Sequence, residues 1–280
     1  MQPTRHEFLH ISTPEKVLFY VLIFGSLAYM AWQVYARLLL WKQGKPVSSP
    51  PLKEAVVKWA GNLWTFVLLQ KKVRSSRPKS GAPMHLLIFY GFVSLFVATT
   101  LLAIATYGPY NFHKGGYYLV YEVTFDALGL LFMAGVTWAL IRRALAVKKD
   151  LGWAAMRETW DKEQVHKQGF QMRRWPMSHG LTDVLTLQLL FTLGITGYWL
   201  EAARISVDPQ AWDNVSFVGY WWAKLQGPYS PDAYRFVWWF HVVWVAVFFA
   251  VLPKMRIRHI LMAIFTTASP PEVPMGKLRT

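Results

Sequence analysis

The chain has 280 residues, more than half of them apolar, with 15 Trp, 13 Tyr and no Cys. Without cysteine it can form no disulfide, no thiolate-ligated haem and no iron–sulfur cluster on its own side chains, so any redox group must be held by other residues, of which the 8 histidines are the first candidates. The net charge of +15 would suit a nucleic-acid surface, but the apolar residues gather in runs long enough to cross a bilayer, which points to an all-α polytopic membrane protein.

Five transmembrane helices are expected, at about 17–40, 84–106, 118–141, 181–202 and 234–265, in a single membrane domain covering 1–280. With the N-terminus outside, the inner segments hold ten, nine and five Lys and Arg. That leaves only Arg5, Lys16, Lys114, Arg204, Lys224 and Arg235 outside. This positive-inside bias predicts an N-out, C-in topology, and the protein is expected in the cytoplasmic (inner) membrane of a prokaryote. The basicity then reflects orientation and contact with lipid or a partner, not nucleic acid.

Residues 1–16 read as a short outer tail in which His6 and His10, four apart, could share a helical face. Thr13-Pro14 marks a helix start, and Trp41-Lys42 is an interfacial anchor at the first span's end. After a Pro- and Ser-rich loop from Gly44 to Pro51, the stretch Leu52 to Leu69 is amphipathic. Lys53, Glu54, Lys58 and Asn62 fall on one side, and Val56, Trp59, Leu63, Phe66 and Val67 on the other. An inner interfacial helix is expected there, followed by a basic loop from Lys71 to Lys79.

The second span opens with Ala82-Pro83-Met84-His85, and the outer loop from Tyr107 to Tyr118 carries His113. The third span contains Glu122 and Asp126, four apart and so on one face. Acids are costly in lipid, so that face should turn to the bundle or a wet cavity. Arg142 to Pro176 is a cytoplasmic segment of mixed charge, with a helix expected around Trp153 to His166. The fourth span has Asp183 near its inner end and Glu201 and Arg204, expected to pair with each other or with headgroups, at its outer end. Ser206 to Asp232 is a Trp/Tyr-rich loop expected against the membrane surface, and 269–280, with three prolines, an extended cytoplasmic tail.

Phe236 to Phe265 reads as one long helix carrying His241 and His259. Eighteen residues at about 100° each make about five whole turns, so both imidazoles would leave one face about 27 Å apart. His259, among Lys254, Arg256 and Arg258, belongs at the inner interface, at the same depth as His85. Two imidazoles from different helices at one depth form the usual axial pair of a six-coordinate haem b. The plainer alternative is two interfacial histidines bonded to headgroups or carbonyls.

Four stretches carry a resemblance: MHLLIFYGF at 84–92, YYLVYEVTFDALGLLF at 117–132, TLGITGYWLEAARI at 192–205 and WWFH…LPKMRIRHI at 238–260. In order and spacing they resemble the gamma subunit of respiratory nitrate reductase, a five-span b-type cytochrome. They are more similar still to the membrane cytochrome part of heterodisulfide reductases and related iron–sulfur quinone reductases. The resemblance implies that His85 and His259 are the axial ligands of an inner haem b. It further implies electron transfer between a cytoplasmic iron–sulfur subunit and membrane menaquinone or ubiquinone, within a hetero-oligomeric complex. With no cysteine before Thr280, the iron–sulfur centres are expected on a separate protein.

One position departs from the pattern. The nitrate reductase subunit has a second histidine ten residues along the second span, where this chain has Leu95. His241 is thereby left without its usual mate on a second haem. Three readings stand side by side: His113, His6 or His10 replaces the mate; His241 bonds a quinone carbonyl; or it is a buried histidine bonded to a neighbouring helix. Quinone reduction takes up two protons with two electrons, so ionisable groups should stand beside an apolar slot, as Glu122 and Asp126 do at the level of His241. Their structural alternative is pairing with Arg204 or capping polar groups of the bundle, while Trp238, Trp239 and Trp244 could pack on a haem or quinone ring. Rival functions are a haem-handling or maturation protein, faintly echoed by Trp221-Trp222, and a cofactor-free membrane anchor.

Overall fold

A computed structural model describes residues 2–43, 51–75, 81–150 and 179–268, without the side chains of 146–150 and 179–181. The helix expected around Trp153 to His166, most of the loop from Gly44 to Pro51, the far half of the basic loop and the 269–280 tail lie outside the described residues. The chain is all-helical: α1 (Thr13–Trp41), α2 (Leu52–Asn62), α3 (Lys71–Arg74), α4 (Gly81–Tyr107), α5 (Gly115–Asp150), α6 (His179–Val207), α7 (Phe217–Gln226), α8 (Pro231–Val251) and α9 (His259–Thr266). Five are long and apolar enough to cross a membrane: Thr13–Trp41, Gly81–Tyr107, Gly115–Leu145, Thr182–Val207 and Pro231–Val251. Helices α1, α4, α5, α6 and α8 thus form the bundle; its end carrying the N-terminal tail is called upper below, and the other lower.

Local chemistry sets where these helices begin. Ser12 caps α1 through its N–H and hydroxyl, which reach Glu15 Oε2 at 2.8 and 2.6 Å, with Pro14 in the first turn. Ser230 caps α8 by accepting from the Ala233 N–H at 3.1 Å, again with proline in the first turn. Neighbours run α4–α5–α6–α8–α1 around the bundle, and Phe92 against Phe248, centroids 5.8 Å apart, brings α4 to α8. Small residues let α4 and α5 approach. A Cβ added at Gly91 would stand 2.6 Å from Phe132 Cβ, and one at Gly135 2.8 Å from Leu87 Cβ. Phe132, Val136, Leu189, Leu190, Phe248, Leu252 and Ile257 build one buried cluster, and Ile11, Ala203, Tyr234, Val237, Trp238 and Val242 another.

The last span departs from expectation. Instead of one helix to Phe265, α8 ends at Val251, a turn and a 3-10 segment (Arg256–Arg258) follow, and α9 starts at His259. Pro253 is the cause: it lacks an N–H and its ring clashes with the preceding turn. The Lys254 N–H bonds Val251 O at 2.9 Å instead of continuing the α-helix, and the freed Ala250 carbonyl accepts from Gln33 Nε2 of α1 at 2.9 Å. The five-turn phasing of His241 with His259 therefore does not hold. Their facing is set by a corner in the chain.

Two further expectations change. The tail carrying His6 and His10 is not helical, because Phe8 and His10 take left-handed backbone angles of 53° and 54°. It is stitched to the upper end instead: the Gly115 N–H bonds Pro3 O at 2.7 Å, Trp212 Nε1 donates to Thr4 O at 3.2 Å, and Thr106 bonds Glu7. The amphipathic stretch is helical from Leu52, but Asn62 leaves its polar side to donate to Thr267 O at 3.0 Å. Trp59 Nε1 donates to Ile264 O at 2.8 Å, so α2 docks on the end of α9.

Candidate functional site

At the lower end the bend after Pro253 carries His259 to α4, where its ring centre lies 6.2 Å from that of His85, with the planes tilted by 40°. Metal–nitrogen bonds of about 2 Å on each side, with each ring centre about 1 Å farther out, would place two rings on one metal about 6 Å apart. The separation of the pair is one that a single metal between the two rings would fit. His259 Nδ1 donates to Arg256 O at 2.8 Å, which leaves Nε2 with the lone pair that a metal takes. His85 Nδ1 is buried with no hydrogen-bond partner among the described residues, an orphan that a ligand or its own metal contact would satisfy.

The surroundings hold this geometry in place. Asp183 of α6 bridges Arg143 of α5 at 2.9 Å and Arg256 at 2.7 Å. It thereby fixes the residue whose carbonyl orients His259. A cleft of about 620 Å³ opens beside His259, lined by Arg37, Trp41, Arg256, Arg258 and Met262. Its size falls in the range of cofactor pockets, and guanidinium groups are the preferred partners of carboxylates.

The upper end is a buried charged cluster. Arg204, 2 % exposed, pairs with Glu201 at 2.7 Å and Asp213 at 3.1 Å. That realises the Glu201–Arg204 pairing expected from spacing, with a third partner from the following loop. Arg5 of the tail reaches in to Glu201 at 3.4 Å and Glu122 at 4.0 Å. Burial works against its charge, yet the flanking Glu201 and Glu122 carboxylates hold its guanidinium protonated well above the ordinary arginine value.

Glu122 and Asp126 are both 7 % exposed, so they face protein and not lipid. Glu122 Oε2 accepts from Ser216 Oγ at 2.7 Å, and Asp126 Oδ2 from the Val218 N–H at 2.7 Å. Both acids of α5 thus hold the start of α7, and the cation nearest Glu122 is Arg5, not Arg204.

The remaining histidines are scattered. His241 Nδ1 meets Thr196 Oγ1 at 2.8 Å, and Thr196 donates its own proton to Thr192 O at 2.6 Å. The hydroxyl therefore accepts from Nδ1–H, and the lone pair of His241 sits on Nε2, the same tautomer as His259. Its Cε1 faces Gly197 across α6, with 3.7 Å to where a Cβ would sit. His113 is 2 % exposed, packs against Tyr117, Tyr118 and Tyr121, and its Nε2 has no hydrogen-bond partner among the described residues. Burial and the nearby Arg5 charge push its pKa down to about 4. Among the described residues no ring contact joins His113 to His241, and His6 is taken by Asp208 at 2.6 Å. Of the candidate tryptophans, Trp238 packs on Phe8 and Phe19 of the tail and α1, and Trp239 donates to Glu15 at 3.2 Å.

Sequence reasoning missed Arg5, Thr196 and the Asp183–Arg256 support. The one available signal was charge balance: Glu122, Asp126, Glu201 and Asp213 against Arg204 alone left the upper cluster short of a cation.

No protein-family model matches the chain, and no solved structure does. Over 262 residues, 88% of the chain, it is 22% identical to a protein of Syntrophomonas wolfei subsp. wolfei named EtfAB:quinone oxidoreductase. The match takes in 32% of that protein, so the chain spans about a third of its relative's length.

Proposed function

We propose that the chain is the membrane cytochrome b component of a quinone-linked oxidoreductase, with the lower end in the cytoplasm. It would carry electrons between a cytoplasmic iron–sulfur partner and the membrane quinone pool. The observation that carries this reading is the His85–His259 pair, 6.2 Å between ring centres on two different helices. Among the described residues no group of three or more His, Asp or Glu could hold a bare ion. Two imidazoles alone leave a metal short of ligands, and a porphyrin would supply the rest. A haem held by His85 and His259 would supply one-electron transfer.

The chain's own residues have distinct parts in this reading. His85 and His259 would bind the iron. The carbonyl of Arg256 fixes the tautomer of His259, and Asp183 holds Arg256 from α6. Arg37, Arg256 and Arg258 line the cleft where propionates would lie. At the upper end Glu122 and Asp126, which hold the start of α7, would exchange protons with a quinone ring. The quinone link is supported by the name of the Syntrophomonas wolfei relative; the iron–sulfur partner is what the resemblance of the four sequence stretches implies, and without cysteine here the clusters would sit on it.

The test is haem content and spectrum of the purified protein by pyridine haemochrome. The expected result is a low-spin b-type spectrum that His85→Ala or His259→Ala removes, with Asp183→Asn retaining haem less tightly. Unchanged haem in both histidine variants would sink the proposal. One haem per chain leaves His241 to another role, whereas two assign it as a ligand.

A further inference from the structure

A second cleft, of about 630 Å³, lies away from the histidine pair, between Leu130 of α5 and the face of α7 that carries Phe217, Val218, Trp221, Trp222 and Gln226. Its walls are apolar and aromatic. The polar exception is Gln226, whose Nε2 and Oε1 are both buried with no hydrogen-bond partner among the described residues. An amide buried with both ends unmatched costs about 1–3 kcal/mol per group, a cost that a hydrogen-bonding occupant of the cleft would offset. The end of α7 that carries it is pinned. Gly227, at φ 77°, ends α7 with its N–H on Ala223 O at 3.1 Å, and its carbonyl accepts from Ser206 Oγ of α6 at 2.6 Å.

We propose that this cleft binds the ring of a quinone, with Gln226 as its hydrogen-bonding partner and Trp221 and Trp222 as its aromatic wall. This rests on the quinone-linked reading above and assigns that activity a site. The chemistry of an amide suits both redox states: Nε2–H donates to a quinone carbonyl, and Oε1 accepts from a quinol hydroxyl. Access is from lipid, where quinones partition, because Trp221 is 65% exposed and Leu130 42%. A proton-exchanging group adjoins the wall. Val218, which lines the cleft, gives its N–H to Asp126 at 2.7 Å. The occupant is thus set apart from a lipid acyl chain, which would have no use for an amide or a carboxylate.

The experiment uses the full chain in nanodiscs with a short-tailed azido-1,4-naphthoquinone, and label sites are mapped by mass spectrometry. Label is expected within Phe217–Gln226 and displaced by excess unlabelled naphthoquinone. Gln226→Leu should raise the concentration for half-maximal labelling about tenfold, as loss of one to two hydrogen bonds implies. Trp221→Ala, at an exposed position that does not test folding, should raise it severalfold. Label confined to another peptide, or a Gln226→Leu variant that labels like the parent, overturns the site. So does labelling of this peptide by an acyl-chain probe that naphthoquinone cannot displace. Because labelling does not need haem, a protein with haem that labels elsewhere refutes this site alone. Site-specific labelling of a protein without haem refutes the electron path and leaves the site. No labelling anywhere refutes both the site and the quinone link.

Discussion

His259 and His241 share a tautomer, and each owes it to one neighbour. The Arg256 carbonyl takes the Nδ1 proton of the first, and the Thr196 hydroxyl that of the second, at 2.8 Å in both cases. Neither neighbour is visible from spacing, because both bonds depend on how the chain turns. His113 illustrates what burial does to the same side chain. Its pKa falls to about 4, first from burial and then from Arg5, while in the unfolded chain it stays near 6.5. Between those values the unfolded chain binds the extra proton, so stability falls as pH drops from about 6.5 toward 4 and is level above. The penalty reaches roughly 3 kcal/mol at most. Thermal melts of the detergent-solubilised protein should show this decline, and His113→Phe should flatten it; an equal slope in parent and variant would refute the assignment.

At the scale of elements, the corner at Pro253 decides the lower site. Apolar length was legible from 234 to 265, and the proline was there to be read, but period alone could not say whether the helix bent or broke. Replacing Pro253 with Ala should let α8 run on through the turn and carry His259 off its position beside His85. The expected outcome is at least a tenfold loss of haem affinity with both histidines present, read from haem content after dilution. Retained affinity would mean that the corner does not position the ligand. The α4–α5 contact depends on backbone closeness, since a Cβ at Gly91 would stand 2.6 Å from Phe132 Cβ. Gly91→Leu should lower stability by about 1–3 kcal/mol through overpacking, measurable as a lower melting temperature. A melting temperature equal to the parent's would show that α4 and α5 can part without cost.

The whole molecule is organised as two polar ends on an apolar bundle. A basic lower face would meet cytoplasm and partner, and an upper lid of tail, α7 and loops closes over the acids. If the proposed orientation is right, a fluorescent protein fused after Thr280 will glow in cells, and alkaline phosphatase fused there will be inactive; the reverse pair of results rejects N-out, C-in. The sequence by itself determined that five apolar helices are long enough to cross a membrane, the common level of His85 and His259, and the Glu201–Arg204 pair. These follow from hydropathy and from neighbours three or four residues apart, which are properties of a single helix. Only the tertiary structure decided that Arg5 enters the acid cluster, that α7 leans on Glu122 and Asp126, and that Gln226 closes an apolar cleft. It also decided that His259 reaches His85 around a corner and not along a straight helix. Such contacts join residues up to two hundred positions apart. Their formation depends on the turns between elements, which carry no period to read.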